Sequence, residues 1–237
     1  MKAILKGTYY QLKNFFRVKK ALFFSFIFPT FLYVIFTFVW GNNSESYSKY
    51  ILTGILGITI VSNAIMSLGR ILVEYNRTGL AKLLKSIPHG YSTHLLCLFL
   101  SRFVLISIAF LVLVAVTSIL SKVTLTIYDI CWAEFGIFLG LFLFSLLGFI
   151  VSNLLEDRFS DNAVSNIIFY PIIFLSDAFY PLTEMNQTLN FAVVLNPLTP
   201  ILRLIRQEDE WLLPTIIWIG GLLIVYTLIC KRLKQMR

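Results

Sequence analysis

The sequence predicts an all-α polytopic membrane protein, and three observations carry that prediction. First, the 237 residues are 58% hydrophobic and only 14% charged, with a mean hydropathy of +0.82. A soluble domain carries about a quarter charged residues, so charge is too sparse here to cover a water-facing surface. Second, the apolar residues come in runs of roughly 20, the length of helix that crosses a ~30 Å hydrocarbon core. Third, the short alternating polar/apolar segments of a transmembrane barrel do not occur.

Taken in order, residues 1–20 read as an amphipathic interfacial helix. At 100° per residue, Lys2, Lys6, Lys13, Arg17 and Lys20 fall on one stripe, and Leu5, Tyr9, Leu12, Phe15 and Phe16 on the neighbouring face. Such a helix lies among headgroups, apolar side down, with its basic edge towards anionic lipid. The plainer reading is a positive flank that orients the first span. No small-residue cleavage site follows the long apolar run, so the pattern is not that of a cleavable signal.

Six transmembrane helices are expected: Ala21–Trp40, Ile51–Leu68, Leu95–Leu120, Ile130–Leu154, Ala163–Phe179 and Trp211–Cys230. No linker or internal repeat interrupts them, so residues 1–237 form a single domain. Between the second and third spans, residues 73–90 form a polar connector. Within it Leu80, Leu83, Leu84 and Ile87 share one helix face, and Pro88 and Gly90 stop the helix. Gly79 is unusual, because a glycine inside a helix costs about 1 kcal/mol relative to alanine. It marks either a helix start or a close backbone contact. Between the fifth and sixth spans, residues 180–206 are polar enough to leave the membrane yet hold the apolar "FAVVL". Non-helical backbone at membrane depth must be buried in protein or line water, which fits a re-entrant hairpin.

Basic residues give the orientation. With the N-terminus in the cytoplasm, the inner segments carry fifteen of the twenty Lys and Arg, and Lys49, Lys122, Arg203 and Arg206 lie outside. Positive residues are retained inside, so both termini are expected to be cytoplasmic in a multi-pass protein of the cell membrane. The same bias accounts for the net charge of +8. No basic stretch interleaved with aromatics stands in a soluble segment, so nucleic acid is not an expected partner. Cys97, Cys131 and Cys230 form no C-x-x-C pair, and His89 and His94 have no third ligand nearby. Buried thiols that fill space are expected rather than a metal site.

The connector "E-x-x-R-x-G-L-x-x-L-L-x-x-x-P", Glu74 to Pro88, resembles the cytoplasmic loop after the second span in permease subunits of type-2 ABC exporters. Phe174 to Arg206, "FLSDAFYPLTEMNQTLNFAVVLNPLTPILRLIR", is similar to that family's segment between the fifth and sixth spans. Ser176, Tyr180, Pro181, Asn196, Pro197, Pro200 and Arg206 stand at matching places. The resemblance covers nearly the whole chain. It departs at Asp177, where the family usually has glycine, at Thr78, which precedes rather than follows the loop glycine, and near Asn186, where a proline is usual.

The resemblance implies two paired permeases, either two copies or a copy and a sister chain, each docked to a separate cytoplasmic ABC ATPase subunit. No G-x-x-x-x-G-K-[ST] phosphate cradle is present, so ATP and Mg are expected on that partner and no cofactor in this chain. The implied ATPase-coupling residues are Glu74 and Arg77 as polar contacts, Gly79 for close approach, and Leu80, Leu83 and Leu84 tying the helix to the membrane half. Glu156, Asp157 and Arg158 form either a second contact or a solvated turn. The implied outer gate comprises Ser176, Asp177, Pro181, Asn196 and Pro197. Asp177 reads equally as a helix-end carboxylate among headgroups. In this family the second and fifth spans line the path. Asn63, Asn166 and Tyr170 are the polar positions there, among many Phe, Ile and Leu. That wall suits an amphipathic or hydrophobic cargo such as a drug, peptide or lipid-like molecule.

Two other classes compete. A non-transporting membrane subunit for immunity or sensing has the same sequence features. An intramembrane enzyme needs clustered nucleophiles or ionisable groups, yet no G-x-S-x-G or H-E-x-x-H is present, and no catalytic residue is expected.

Overall fold

The computed structural model describes residues 2–40, 45–69, 71, 74–75, 78–88, 90–121, 123–155, 161–181 and 190–235. Among the described residues every regular element is a helix. They fall into two compact units, Met1–Leu52 with Ile71–Thr124, and Thr53–Arg70 with Leu125–Arg237.

The first unit opens with α1 (Lys2–Arg17). Next come α2 (Lys19–Leu22), a π-helical stretch (Phe23–Ile27) and α3 (Phe28–Trp40). The first turns of α4 (Glu45–Asn63), the short α5 (Leu80–Ser86) and the long α6 (Gly90–Ser121) complete it. α1 packs along α6. Its inward stripe is Ile4, Gly7, Thr8, Gln11, Leu12 and Phe15, spaced by three and four as a helix face requires. At Gly7 a Cβ would lie 2.6 Å from Cys97 Sγ, and the Cys97 thiol donates to the Ile4 carbonyl at 3.5 Å. Leu5, Tyr9 and Phe16 form a second, exposed apolar stripe, and Lys6, Lys13 and Arg17 a third, basic one. The expected two-faced helix is therefore three-faced: Leu12 and Phe15 are withdrawn to protein, leaving the other rings outward. On α3, the fully buried Tyr33 bonds to Ser121 Oγ at 3.0 Å, while Phe31 and Phe38, like Phe24 in the π-helical stretch, stay exposed.

The second unit holds the rest of α4 and its π-helical continuation (Ala64–Gly69). It adds α7 (Ile127–Leu155), α8 (Asp161–Phe174), α9 (Asn190–Leu195), α10 (Leu198–Arg206) and α11 (Leu212–Gln235). Its core is Ile55, Leu56, Ile60, Val61 and Ile65 of the α4 arm against Ile137, Leu141 and Phe144 of α7. Where the π segment meets α7 the backbones nearly touch: a Cβ on Gly69 would lie 2.9 Å from the Gly148 carbonyl carbon. Small residues permit such approach when apolar burial gives no drive for one helix over lipid. α10 lays Leu198, Ile201, Leu202 and Ile205 into the groove left by Gly57, Gly136 and Gly140. α11 is held to α7 by aromatic pairs at 5.9 Å (Trp132–Trp211) and 5.1 Å (Phe149–Tyr226), and presents Ile216, Ile217, Ile224 and Leu228 outward.

Among the described residues four helices are long and apolar enough to span a membrane: Glu45–Gly69, Gly90–Ser121, Ile127–Val151 and Leu212–Ile229. These coincide with the second, third, fourth and sixth expected spans. The first falls on the shorter apolar stretch Phe23–Val39 and the fifth on Ser165–Phe174. α8 ends at Phe174, three residues after Pro171, and turns follow. Its 14 residues reach about 21 Å, short of a ~30 Å core.

Candidate functional site

The connector between Gly69 and Gly90 is built around one backbone conformation. The Glu74 carbonyl accepts from the Thr78 N–H at 2.9 Å and its hydroxyl at 2.8 Å, closing a turn. Gly79 then takes a left-handed φ of 75° and caps α5, its carbonyl accepting from the N–H groups of Lys82 at 3.0 Å and Leu83 at 3.2 Å. A side chain at that φ is strained. Nothing lies within 4 Å of where a Gly79 Cβ would stand. Within this chain, then, the glycine serves the helix start, not a close approach.

α5 turns Ala81 inward, with Leu80 and Leu84 half-buried. Leu83 does not join them: it is 62% exposed, beside exposed Ile87, Lys82 and Lys85. Lys85 Nζ lies 5.1 Å from the centre of the Tyr91 ring, and the Gly90 N–H donates to the Ile87 carbonyl at 3.0 Å. Glu74 is exposed; Arg77, Glu156, Asp157 and Arg158 lie outside the described residues. Behind the connector, Tyr75 Oη lies 2.9 Å from His94 Nε2. Burial pushes the Tyr75 phenol up, opposed by the positive charge of Arg102.

The segment from Ser176 to Glu210 is tied together by side chains. α8 leaves its last carbonyls open as it ends. Ser176 Oγ donates to the Ile173 carbonyl at 2.7 Å, and Asn196 Nδ2 donates to the Ile172 carbonyl at 2.7 Å. The Asn196 Oδ1 accepts from the Leu198 N–H at 2.9 Å, and Pro197 caps α10. One buried asparagine thus joins the end of α8 to the start of α10. Arg206 at the other end of α10 donates through Nε to Thr53 Oγ1 at 3.0 Å and through Nη2 to the Asp177 carbonyl at 2.8 Å. Asp177 takes part through its backbone here, and its side chain is half-buried; Pro181 is also half-buried. Gly54 accepts this arrangement because its Cβ would stand 1.7 Å from the Ala178 carbonyl oxygen. Asp129 adds a further tie. It accepts from the Thr126 N–H at 2.8 Å in a capping box at the start of α7, and from Gln207 Nε2 at 2.7 Å.

The three expected path residues stand apart in character. Asn63 is buried and its amide donates to the Thr59 carbonyl of its own helix at 2.9 Å. Asn166 is half-buried, and Tyr170 is exposed with its ring stacked on Phe174. Among the described residues no hydrogen bond joins the three. The ties formed by Thr53, Gly54, Asp129 and Gln207 carry no sequence signal; they come from positions far apart in the chain.

Long apolar helices, close backbone approach at glycines and a capped polar connector define a multi-pass helical membrane protein. The family model for ABC-2 type transporters matches residues 4–208, and the chain belongs to that family. It is an ABC transporter permease, and membership implies association with an ABC ATPase subunit. No curated protein matches the chain.

Proposed function

We propose that this permease is the membrane half of an ATP-driven exporter in the cell membrane. It has six spans and cytoplasmic termini, and moves an amphipathic or hydrophobic molecule outward. ATP and Mg bind a separate cytoplasmic subunit, and a second copy or a sister permease completes the path. The observation that carries this reading is α5. It is short, starts at Gly79, and leaves Lys82, Leu83 and Lys85 exposed, with Ile87 exposed just past its last residue. An exposed apolar pair ringed by charge, on a connector next to two spanning helices, suits a docked protein.

On this model the ATPase grips α5 and Glu74, and its closure tilts the helices that follow. The 176–210 segment, locked by Asn196 and Arg206, acts as the outer gate. The test is co-purification of the full chain with the product of the adjacent gene, expected to be a P-loop ATPase, together with ATP-dependent flipping in vesicles holding both. Leu83→Asp and Glu74→Lys are expected to cut recovery of the ATPase about tenfold, a loss of ~1.4 kcal/mol. Undiminished recovery with both variants would remove α5 as the docking element. If the ATPase binds but no cargo stimulates hydrolysis, the chain is a non-transporting member of its family.

A further inference from the structure

Arg102 lies in α6 about one turn beyond Cys97, where α1 packs against α6. Its guanidinium carbon sits 4.7 Å from the centre of the Phe15 ring. Nε and Nη1 are buried and have no hydrogen-bond partner among the described residues. Thr8 Oγ1, on the same inward stripe of α1 as Phe15, is buried and unpartnered as well. Tyr75, bonded to His94, is close enough to act on Arg102 electrostatically. The neighbouring hydroxyls of Thr8 and Tyr75 carry no formal charge, and among the described residues no carboxylate pairs with Arg102.

Magnitudes decide what is missing. The ring over the guanidinium contributes less than two unmade hydrogen bonds cost on a buried charged group, so Phe15 alone does not offset them. Water would meet the donors but leave the charge unneutralised beside lipid. An anion with several acceptor oxygens does both, and a planar guanidinium fork matches phosphate.

We propose that Arg102 anchors a phosphate site at the α1–α6 crossing, filled by the headgroup of an anionic phospholipid. This rests on the proposed function, whose six spans and cytoplasmic termini leave α1 at the inner membrane surface. α6 has 32 residues, about 48 Å, against a ~30 Å core. Arg102, twelve residues in, stands near the headgroup boundary when the excess lies at the Gly90 end. Lys6, Lys13 and Arg17, on the face of α1 turned away from α6, raise the concentration of anionic lipid around that helix. Part of the Arg102 side chain stays open, so a phosphate entering there meets Nε and Nη1 after a rotation of the guanidinium.

The test uses the full chain in nanodiscs of phosphatidylcholine, with or without phosphatidylglycerol, and native mass spectrometry of the retained lipid. Wild type is expected to hold phosphatidylglycerol in preference to phosphatidylcholine, and Arg102→Gln to hold about tenfold less, the loss of one charged hydrogen bond. Arg102→Lys, which keeps a point charge without the fork, is expected to lie between them and serves if the glutamine variant does not assemble. Inorganic phosphate, added to the phosphatidylcholine discs, separates the sources: a free ion bound there, with phosphatidylglycerol not preferred, would overturn the lipid assignment. Equal retention by wild type and both variants would overturn the site. Because the readout is bound lipid, its failure leaves ATPase recovery through α5 standing, and the converse also holds.

Discussion

Gly54 and Gly79 show two different uses of the same residue. At Gly79 the requirement is angular, a φ of 75° with open space around it. At Gly54 the requirement is volumetric, since even a methyl group would strike the Ala178 carbonyl. We expect Gly54→Ala to force the 176–181 backbone off α4 at a cost of about 3 kcal/mol, in the upper range for overpacking. A drop of several degrees in the thermal midpoint of the detergent-solubilised protein would show it. An unchanged midpoint would mean that this loop is not seated on α4. The sequence raised both a helix start and a close contact for Gly79, and the start is what the structure displays. Gly54 gave no signal, because its neighbour at Ala178 is 124 positions away and only tertiary packing brings them together. Arg206 was legible as a motif position, but its acceptors Thr53 and the Asp177 carbonyl were not.

At the scale of elements, the long helices were readable because unbroken apolar runs have few other solutions. The two π-helical stretches were not. A π turn widens the helix without changing composition, so hydropathy passes over Phe23–Ile27 and Ala64–Gly69 unaltered. The faces of α1 were only half legible. A helical wheel separates charge from hydrocarbon, but it does not distinguish a ring that meets α6 from one that meets lipid. The junction of the π segment with α7 carries its own prediction. Gly148→Val would insert an isopropyl group where Ile65 Cα lies 3.1 Å from an ideal Cβ, so we expect a loss of about 2 kcal/mol. Thermal denaturation of the variant against wild type measures it. Equal stability would show that the two helices have room to part.

For the whole molecule the decisive property is sidedness. The proposed topology places Lys82 and Lys85 on the same side as both termini, and Glu208 and Asp209, which are exposed, on the other. In intact cells, single cysteines at Glu208 or Asp209 are expected to react with an impermeant thiol reagent. Cysteines at Lys82 or Lys85 are expected to react only after the membrane is opened. Labelling of the Lys82 position from outside would end the exporter reading. Fold class and family were open to sequence reasoning because hydropathy, charge bias and motif order are global properties. Cargo was not: a wall of Phe, Ile and Leu leaves few polar groups to discriminate among ligands.

The join between α5 and α6 is three residues long, Ile87 to His89, and Lys85 leans over Tyr91 across it. So tight a knee has little slack. On the proposed coupling model, torque applied at Leu83 would pass into the shaft that carries Arg102, and through Phe15 into α1. On that model the inner leaflet would be the bearing of the machine, and its surface charge would set how freely the crank turns.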